Sequence, residues 1–186
     1  MEKGKSNFSA DRQSYLRSIL LRKDLLENPF DQFQIWFNTA LELDRHGANA
    51  FALSTVSQND CPSCRTVLLK EIVSDGFVFY TNLKSSKANH INMNPHVSML
   101  FFWKELERQV RISGIASKYD DLRAEEYFQS RPKGSQIGAW VSKQSQPLKD
   151  RKELEHQYKL LEEKYANDEF LPKPPHWGGF VVKPKS

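Results

Sequence analysis

The stretch TVLLKEIVSDGFVFYT, residues 66–81, contains two runs of aliphatic, β-branched and aromatic residues separated by Ser74-Asp75-Gly76. Such runs are typical of β-strands, and turn residues between them are typical of a hairpin. We therefore predict strands over Thr66–Val73 and Phe77–Thr81. Because the connection is too short for the crossover that parallel strands require, we expect the pair to be antiparallel.

Runs of the same kind occur on both sides of this hairpin. They predict further strands over Ala50–Val56, Val97–Trp103, Gln109–Tyr119 and Gly179–Val182. Short turn segments such as Ser57-Gln58-Asn59-Asp60 and Lys104-Glu105 separate several of them. A mostly antiparallel sheet or small barrel follows, and a chain of 186 residues is expected to form a single domain over residues 1–186.

Helical patterns flank the strand-rich centre. Asn28-Pro29 predicts a helix start, since an N-cap residue precedes a proline at the first helical position. An apolar stripe follows at Phe30, Phe33, Phe37 and Leu41, and Gly47 is expected to end that helix. Other helices are predicted over Asp11–Arg22, Ser85–Asn92, Asp120–Gln129, Ser135–Ser142 and Leu148–Tyr165, after a mobile arm over residues 1–10. The fold class is therefore mainly β with flanking helices (α+β).

Composition narrows the function classes. The chain has 27 Lys and Arg against 23 Asp and Glu, a formal net charge of +4. Such an excess suits small anionic ligands and is too weak to indicate nucleic acid. No segment approaches the roughly 18 to 20 apolar residues of a membrane span, and the start lacks the apolar centre of a signal peptide. We expect no membrane partner and a cytoplasmic location.

The cysteines and histidines do not form a recognisable chemical site. Cys61-Pro62-Ser63-Cys64 has the spacing of a thiol-redox motif, but that motif requires a helix to follow, and the continuation here is β-branched and aliphatic. A zinc site would need two more ligands. The five histidines show no paired spacing. We therefore expect no metal and place the cysteines at a hairpin.

Three local clusters combine cationic and hydroxyl groups. In the first, strand alternation puts Arg65 and Lys70 on opposite faces, roughly 17 Å apart if the strand is regular. They would then bind different anions, or simply be solvated strand ends. In the second, a strand ends at Tyr80-Thr81 and leads into Ser85-Ser86-Lys87. This could be a phosphate cradle at a helix start, or ordinary capping by Ser85 or Ser86.

The third cluster surrounds Arg131. Its planar donor fork, together with Tyr127 and with Ser135 at the start of the next helix, could form a second phosphate site. The alternative is a corner between two helices with no ligand.

In their order along the chain, several strings resemble the pyridoxamine 5'-phosphate oxidase family. The ordered set covers nearly the whole chain and is highly specific. The strings are Arg65-Thr66-Val67-Leu68-Leu69-Lys70, Gly76-Phe77-Val78-Phe79-Tyr80-Thr81-Asn82, Glu107-Arg108-Gln109-Val110-Arg111-Ile112, Tyr127-Phe128-Gln129-Ser130-Arg131-Pro132, Ser135-Gln136-Ile137-Gly138-Ala139-Trp140, Ser142-Lys143-Gln144-Ser145 and Trp177-Gly178-Gly179-Phe180.

The resemblance implies an antiparallel FMN-binding split β-barrel that works as a homodimer, with FMN at the subunit interface and some FMN-binding residues from the partner. The implied cofactor positions are Arg65, Thr66, Val67, Leu68, Leu69, Lys70, Tyr80, Thr81, Ser86, Lys87, Gln109, Gln144 and Ser145. The implied substrate positions are Lys70, Tyr127, Arg131 and Ser135, with Arg12 and Tyr15 in a covering N-terminal segment. No catalytic residue is assigned.

The implied reaction oxidises pyridoxamine or pyridoxine 5'-phosphate to pyridoxal 5'-phosphate, with O₂ as acceptor and hydrogen peroxide as product. Ser86 departs from the family, which usually has Arg there, and Lys84 is a nearby cation. The family also continues beyond the position of Ser186 with a strand bearing a Trp and an Arg-Leu-His segment. We therefore expect either a shortened chain or a relative with a reduced site. A non-catalytic flavin or pyridoxal-phosphate binder, and an oxidase of another reduced ring, remain open.

Overall fold

The structure, a computed structural model, describes Ser14 and residues 19–186. The predicted arm over residues 1–10, most of the predicted helix Asp11–Arg22, and the candidate residues Arg12 and Tyr15 lie outside the described residues. The described chain divides into two compact units. The first comprises the residues up to 48 with residues 102–109, and the second comprises residues 49–101 with residues 110–186. The single domain over residues 1–186 stays a prediction.

The first unit is built around helix α1, Pro29–Leu43. Its start is as predicted, because the Asn28 side chain accepts a hydrogen bond from the Phe30 backbone N–H at 2.9 Å. Two rings of the predicted apolar stripe, Phe33 and Phe37, pack against Trp103 with centroid separations of 5.7 and 6.3 Å. This contact explains why the stripe is aromatic.

The prediction that α1 continues to Gly47 is wrong. The helix ends at Leu43, and the Asp44 carboxylate accepts hydrogen bonds from the backbone N–H groups of His46 and Gly47, at 3.2 and 2.9 Å. These side-chain bonds give the chain an alternative to further helical bonds, as short polar residues often do at helix ends.

Seven strands of the described chain form one sheet. They are β1 (Ala50–Val56), β2 (Pro62–Leu68), β3 (Glu71–Val73), β4 (Gly76–Asn82), β5 (His96–Trp103), β6 (Arg108–Lys118) and β7 (Trp177–Pro184). Their order across the sheet is β2-β1-β5-β6-β7-β4-β3. The pairings β1–β2, β1–β5, β3–β4, β4–β7 and β6–β7 are antiparallel. The antiparallel sheet and the α+β class are confirmed, and the cysteines lie at the β1–β2 hairpin, as predicted.

The single strand predicted over Thr66–Val73 is wrong. Residues 66–68 end β2 and residues 71–73 form β3, and the chain changes its hydrogen-bond partner in between. The backbone N–H of Leu69 donates to Asn49 at 2.8 Å, whereas that of Lys70 donates to Val78 at 2.9 Å. The alternation that predicted opposite faces for Arg65 and Lys70 is therefore interrupted before Lys70 is reached.

This break forces the sheet to curl. Strands β2 and β3 are its two edges, so in a flat seven-stranded sheet they would lie about 29 Å apart. Only Leu69 and Lys70 connect them, and three Cα–Cα steps reach about 11 Å. The two edges must therefore approach each other across a seam, which we define as the gap between β2 and the β3–β4 hairpin.

Four helices belong to the second unit: α2 (Ser86–Met93), α3 (Asp121–Ser130), α4 (Lys133–Val141) and α5 (Arg151–Lys164). A buried apolar cluster from α3, α4 and β7 includes Phe128, Ile137 and Trp177. Lys133, at the start of α4, donates hydrogen bonds to the carbonyls of Tyr165, Ala166 and Asp168 just beyond α5. A cation is stabilising at a helix C-terminus, so Lys133 fixes α5 to α4.

In the part of the chain that the structure describes, no helix is both long and apolar enough to span a membrane.

Candidate functional site

A cavity of about 930 Å³ opens in the second unit, on both sides of the seam. Its walls come from β2, β4, the start of α2, the end of α3, α4, the segment that follows α4 and the start of β7. It is lined by Arg65, Thr66, Val67, Leu68, Lys70, Tyr80, Thr81, Asn82, Ser86, Lys87, Tyr127, Arg131, Pro132, Ser135, Gly138, Ala139, Ser142, Gln144, Ser145 and Trp177. A volume of this size suits one or two small organic ligands.

A buried lysine lies at one side of this cavity. The Lys87 ammonium is 7% exposed and donates hydrogen bonds to Thr81 Oγ1 at 3.1 Å, Ser85 Oγ at 3.2 Å and Gln144 Oε1 at 2.8 Å. All three acceptors are neutral. Burial, and secondarily the positive charge of Arg65, lowers the pKa of Lys87 to about 8. The group therefore carries a charge that the protein itself does not neutralise at this position.

Arg65 is the second cation on this side. Its Nη1 donates hydrogen bonds to the Leu53 carbonyl at 3.0 Å and to Thr55 Oγ1 at 2.7 Å, both on the neighbouring strand β1. Burial lowers the pKa of Arg65. These bonds hold the guanidinium in place from behind. We call Arg65 and Lys87 the first cationic pair. Together with the hydroxyls of Thr81 and Ser86, this pair has the donor chemistry of a phosphate site.

Three aromatic rings form a nearly parallel group in the wall of the cavity. Tyr80 and Tyr127 have centroids 4.3 Å apart at 12°, Tyr80 and Trp177 are 5.2 Å apart at 5°, and Tyr127 and Trp177 are 5.9 Å apart at 17°. We call these rings the aromatic trio. Offset, near-parallel stacking of this kind is a favourable arrangement for aromatic side chains.

A second cationic pair, Lys70 and Arg131, lies over these rings. Arg131 Cζ is 5.1 Å from the Trp177 ring centroid, and Lys70 Nζ is 5.7 Å from that of Tyr127. Arg131 Nη1 is buried and has no hydrogen-bond partner among the described residues, and burial lowers the pKa of Arg131. A buried, unpaired guanidinium N–H is costly, so an anion beside Arg131 would be strongly favoured.

Most of the predicted site residues line this one cavity. Leu69 does not, because it is buried in the core, and Gln109 belongs to the first unit and is not among the lining residues. Arg65 and Lys70, predicted on opposite faces of a regular strand, both line the cavity because the strand breaks after Leu68. The nearby cation Lys84 is exposed and does not line it.

The capping interpretation of Ser85 is wrong. Ser85 does occupy the N-cap position of α2, but its side chain makes no capping bond and instead accepts from Lys87. The side chain of Asn82 bonds to the backbone on both sides of this turn. Its Oδ1 accepts a hydrogen bond from the Lys84 backbone N–H at 2.8 Å, and its Nδ2 donates one to the Ser142 carbonyl at 3.1 Å.

Sequence reasoning missed Asn82, Ser142 and Trp177 as cavity residues. Asn82 and Trp177 are directly opposite each other in the β4–β7 pairing, so the register of those two strands identifies both. That register is a long-range property, and nothing in the local sequence near residue 177 indicates it. Among the described residues, no group of three or more His, Cys, Asp or Glu side chains is arranged to hold a metal.

The chain matches known proteins over most of its length. Residues 37–165 match the family model described as pyridoxamine 5'-phosphate oxidase. A pyridoxine/pyridoxamine 5'-phosphate oxidase of Aliarcobacter butzleri is 50% identical over 173 residues, covering 93% of this chain and 81% of that protein. One from Crocosphaera subtropica is 48% identical over 178 residues, covering 96% and 83%.

Solved structures show the same fold. PhzG from Burkholderia lata, solved with tetrahydrophenazine-1-carboxylic acid, has a TM-score of 0.81 at 25% identity and covers 89% of this chain and 82% of its own. A pyridoxamine 5'-phosphate oxidase-related, FMN binding protein from Nostoc punctiforme has a TM-score of 0.66 at 20% identity, covering 86% and 83%. The split-barrel fold is confirmed, and the chain belongs to the pyridoxamine 5'-phosphate oxidase family.

Proposed function

We propose that the protein is an FMN-dependent oxidase that converts pyridoxamine or pyridoxine 5'-phosphate to pyridoxal 5'-phosphate, with O₂ as acceptor and hydrogen peroxide as product. One observation carries the proposal: a single cavity holds two separate cationic pairs, and one of them includes a buried guanidinium N–H that finds no partner within the described part of the chain. Two anionic groups in one cavity are what a phosphorylated cofactor and a phosphorylated substrate would supply together.

The first cationic pair fits the phosphate of FMN. Lys87 already donates to three neutral oxygens, so its charge is oriented but not neutralised. Arg65 is held by its bonds to β1, which leaves the rest of its fork for a ligand. Ser86 supplies a hydroxyl rather than a guanidinium, so the phosphate would be bound by two cations and the hydroxyls of Thr81 and Ser86.

The second cationic pair fits the phosphate of the substrate. Arg131 Nη1 would donate to it, Lys70 would add a positive charge, and Ser135 lines the cavity in the first turn of α4. Lys70 lies over the Tyr127 ring and Arg131 over the Trp177 ring, so this pair lies against two rings of the aromatic trio. The substrate ring would then lie beside an aromatic wall that excludes water.

When bound, FMN supplies the redox chemistry by taking two electrons from the substrate and passing them to O₂. The chain's own contribution would be positioning: the first cationic pair would hold one phosphate and the second pair the other, so that both ligands would be fixed inside one cavity. The resemblance supports a homodimer as part of the same proposal.

A second candidate is an oxidase of another reduced ring compound. PhzG, at 25% identity, was solved with a reduced phenazine carboxylic acid, and a carboxylate could also accept from Arg131. The requirement for a phosphate distinguishes the two. A preference for an unphosphorylated ring over pyridoxamine 5'-phosphate in a substrate panel would favour this candidate.

The proposed function is tested by the visible absorption of the purified protein after loading with FMN. Anaerobic addition of pyridoxamine 5'-phosphate is expected to bleach the flavin band, and readmission of air is expected to restore it with release of peroxide. A band that persists would contradict the oxidase and leave a flavin-binding protein. If the protein retained no FMN at all, the proposal that FMN is its cofactor would be contradicted as well.

The affinity for FMN is expected to depend on pH through Lys87. In the ligand-free protein its pKa is about 8, so the ammonium is charged below that pH. A bound phosphate favours the charged form and raises this pKa. Affinity should therefore be steady from about pH 7 to 8 and fall above 8, by at most about tenfold per pH unit for one proton. Titration of the quenching of FMN fluorescence between pH 7 and 10 measures this.

Whereas the affinity for FMN falls as pH rises above 8, the stability of the ligand-free fold is expected to increase. Its Lys87 pKa lies below the ordinary value of 10.5, so the unfolded chain holds the proton more tightly. The cost of burying the charge is present in full below about pH 8 and is relieved as pH rises toward 10.5.

Lys87→Arg is the control for the pH dependence of FMN affinity. Because a guanidinium stays charged over this range, the variant should show a flatter profile of affinity against pH. An equally steep profile in Lys87→Arg would show that another group titrates.

A further inference from the structure

Glu71 accepts hydrogen bonds from two tyrosine hydroxyls at the margin of the cavity. Tyr80 Oη donates to its Oε1, and Tyr119 Oη donates to its Oε2 at 3.2 Å. Glu71 lies on β3 directly opposite Val78 of β4, and it is not itself among the residues that line the cavity. Both carboxylate oxygens are thus used to hold phenol groups, and one of these belongs to the aromatic trio.

The Tyr80 hydroxyl is therefore committed to Glu71. Burial raises the pKa of Tyr80, and the hydrogen bond and negative charge of Glu71 raise it further. The phenol stays protonated and keeps donating throughout the neutral and mildly basic range. Tyr80 consequently offers the cavity its ring and not its hydroxyl.

The Tyr80 ring is also fixed from below. In the β4–β7 pairing Tyr80 is directly opposite Gly179, and a Cβ added at Gly179 would lie 2.9 Å from the Tyr80 ring. The Tyr80 ring therefore packs on the backbone of residue 179, and any side chain larger than that of glycine would collide with the ring. Its other contacts are the near-parallel stacks with Tyr127 and Trp177. Rotation of Tyr80 is blocked by the strand beneath it, by the rings beside it and by the carboxylate at its tip.

We propose that Glu71 is a positioning residue that acts through Tyr80, setting the plane of the aromatic trio against which the ligand rings bind. This rests on the proposed function as far as the identity of the ligand is concerned. It assigns a role to a residue of β3 that does not itself line the cavity, and it makes the two-residue connection between β2 and β3 important for the cavity as well as for the fold.

The test compares Glu71→Ala with Glu71→Gln, using two measurements: near-ultraviolet circular dichroism of the ligand-free protein, and the Kd for FMN from fluorescence quenching. Glu71→Ala frees both tyrosines, so the aromatic dichroism should weaken and the Kd should rise about tenfold. In Glu71→Gln the amide oxygen can accept from one hydroxyl while the amide NH₂ donates to the other. The aromatic dichroism should then resemble that of wild type, and the Kd should stay within about twofold of it. If Glu71 acted through its negative charge, Glu71→Gln would instead behave like Glu71→Ala.

A double-mutant cycle identifies the route. If Glu71 acts through Tyr80, Glu71→Ala should change the Kd less than about twofold in a Tyr80→Phe background. Tyr119→Phe alone should also have less than about a twofold effect. Glu126→Ala, which removes an exposed carboxylate on α3, is the matched control and should change nothing.

Two outcomes would overturn the proposal. One is unchanged dichroism and affinity in Glu71→Ala, and the other is an effect that is undiminished in the Tyr80→Phe background. Failure of the proposed function looks different: wild type would either bind FMN without being reduced by pyridoxamine 5'-phosphate, which leaves the Kd comparison intact, or not bind FMN at all. The dichroism of the ligand-free variants would still decide whether Glu71 orients the trio.

Discussion

Replacement of Arg131 by Met is expected to lower kcat/KM for pyridoxamine 5'-phosphate by about 100-fold, mostly through KM, because a hydrogen bond to a charged group contributes about 1.5–3 kcal/mol. The guanidinium has a buried N–H that no group of Ser14 or residues 19–186 pairs with, and it lies over the Trp177 ring, so it is oriented before a ligand arrives. Met keeps the apolar contact with the ring and removes only the charge and the donors.

The matched comparison for Arg131→Met uses unphosphorylated pyridoxamine, and any turnover of that compound should be almost unaffected. Arg131→Lys should recover little, since an ammonium neither stacks on an indole nor donates through a planar fork. Arg123→Met, an exposed position on α3 that pairs with Glu126, controls for loss of charge from the same helix region. An equal loss with and without the substrate phosphate would show that Arg131 does not bind that phosphate.

Replacement of Lys87 by Met is expected to raise the Kd for FMN by about 100-fold, the loss of a buried ion's contact with a phosphate being worth about 3 kcal/mol. The ligand-free protein should not lose stability in proportion. Lys87 is 7% exposed and its three partners are neutral, so burying its charge is unfavourable until a phosphate is present. Thermal unfolding with and without FMN measures both effects together.

Lys84→Met is the control for Lys87→Met. Lys84 is exposed and does not line the cavity, so the Kd should stay within about twofold and Lys84 should not substitute for the arginine that Ser86 replaces in the family pattern. If Lys87→Met destabilises the ligand-free protein strongly and leaves FMN affinity unchanged, the buried lysine is a structural group and the phosphate binds elsewhere.

The strands could be predicted because each one depends on its own residues. Ala50–Val56 is β1 as predicted, and β4, β5 and β6 agree to within a residue at each end. The break after Leu68 could not be predicted, since the run from Thr66 to Val73 has uniform β propensity. Strand β2 ends because the backbone N–H of Leu69 donates to Asn49, whereas that of Lys70 donates to Val78. The sequence around Leu69 does not show this change, because neither partner is close to Leu69 in the chain.

The site shows the same division between local and long-range information. The cations and hydroxyls around Lys87 and Arg131 were identifiable because phosphate-binding chemistry depends on residue type and on helix starts. Their gathering into one cavity was visible only through the family resemblance. Trp177 and Glu71 were not recognised, because the first depends on the register of β7 with β4 and the second on a carboxylate of β3 that accepts from Tyr80 on the neighbouring strand β4 and from Tyr119.

The seam between β2 and the β3–β4 hairpin links the stability of the fold to the occupation of the cavity. Arg65 to Leu68 lie on one side of it and Tyr80 to Asn82 on the other, while within the chain only Leu69 and Lys70 tie the two edges directly. A ligand that contacts both sides holds the two edges together, and its binding free energy adds to the stability of the fold at the place where β2 and the β3–β4 hairpin share no ladder of hydrogen bonds. Without it, the protein should open first along this line. A core substitution that closed the seam would be expected to stabilise the barrel and to remove the opening through which a ligand enters, so stability and ligand access make opposite demands on this line.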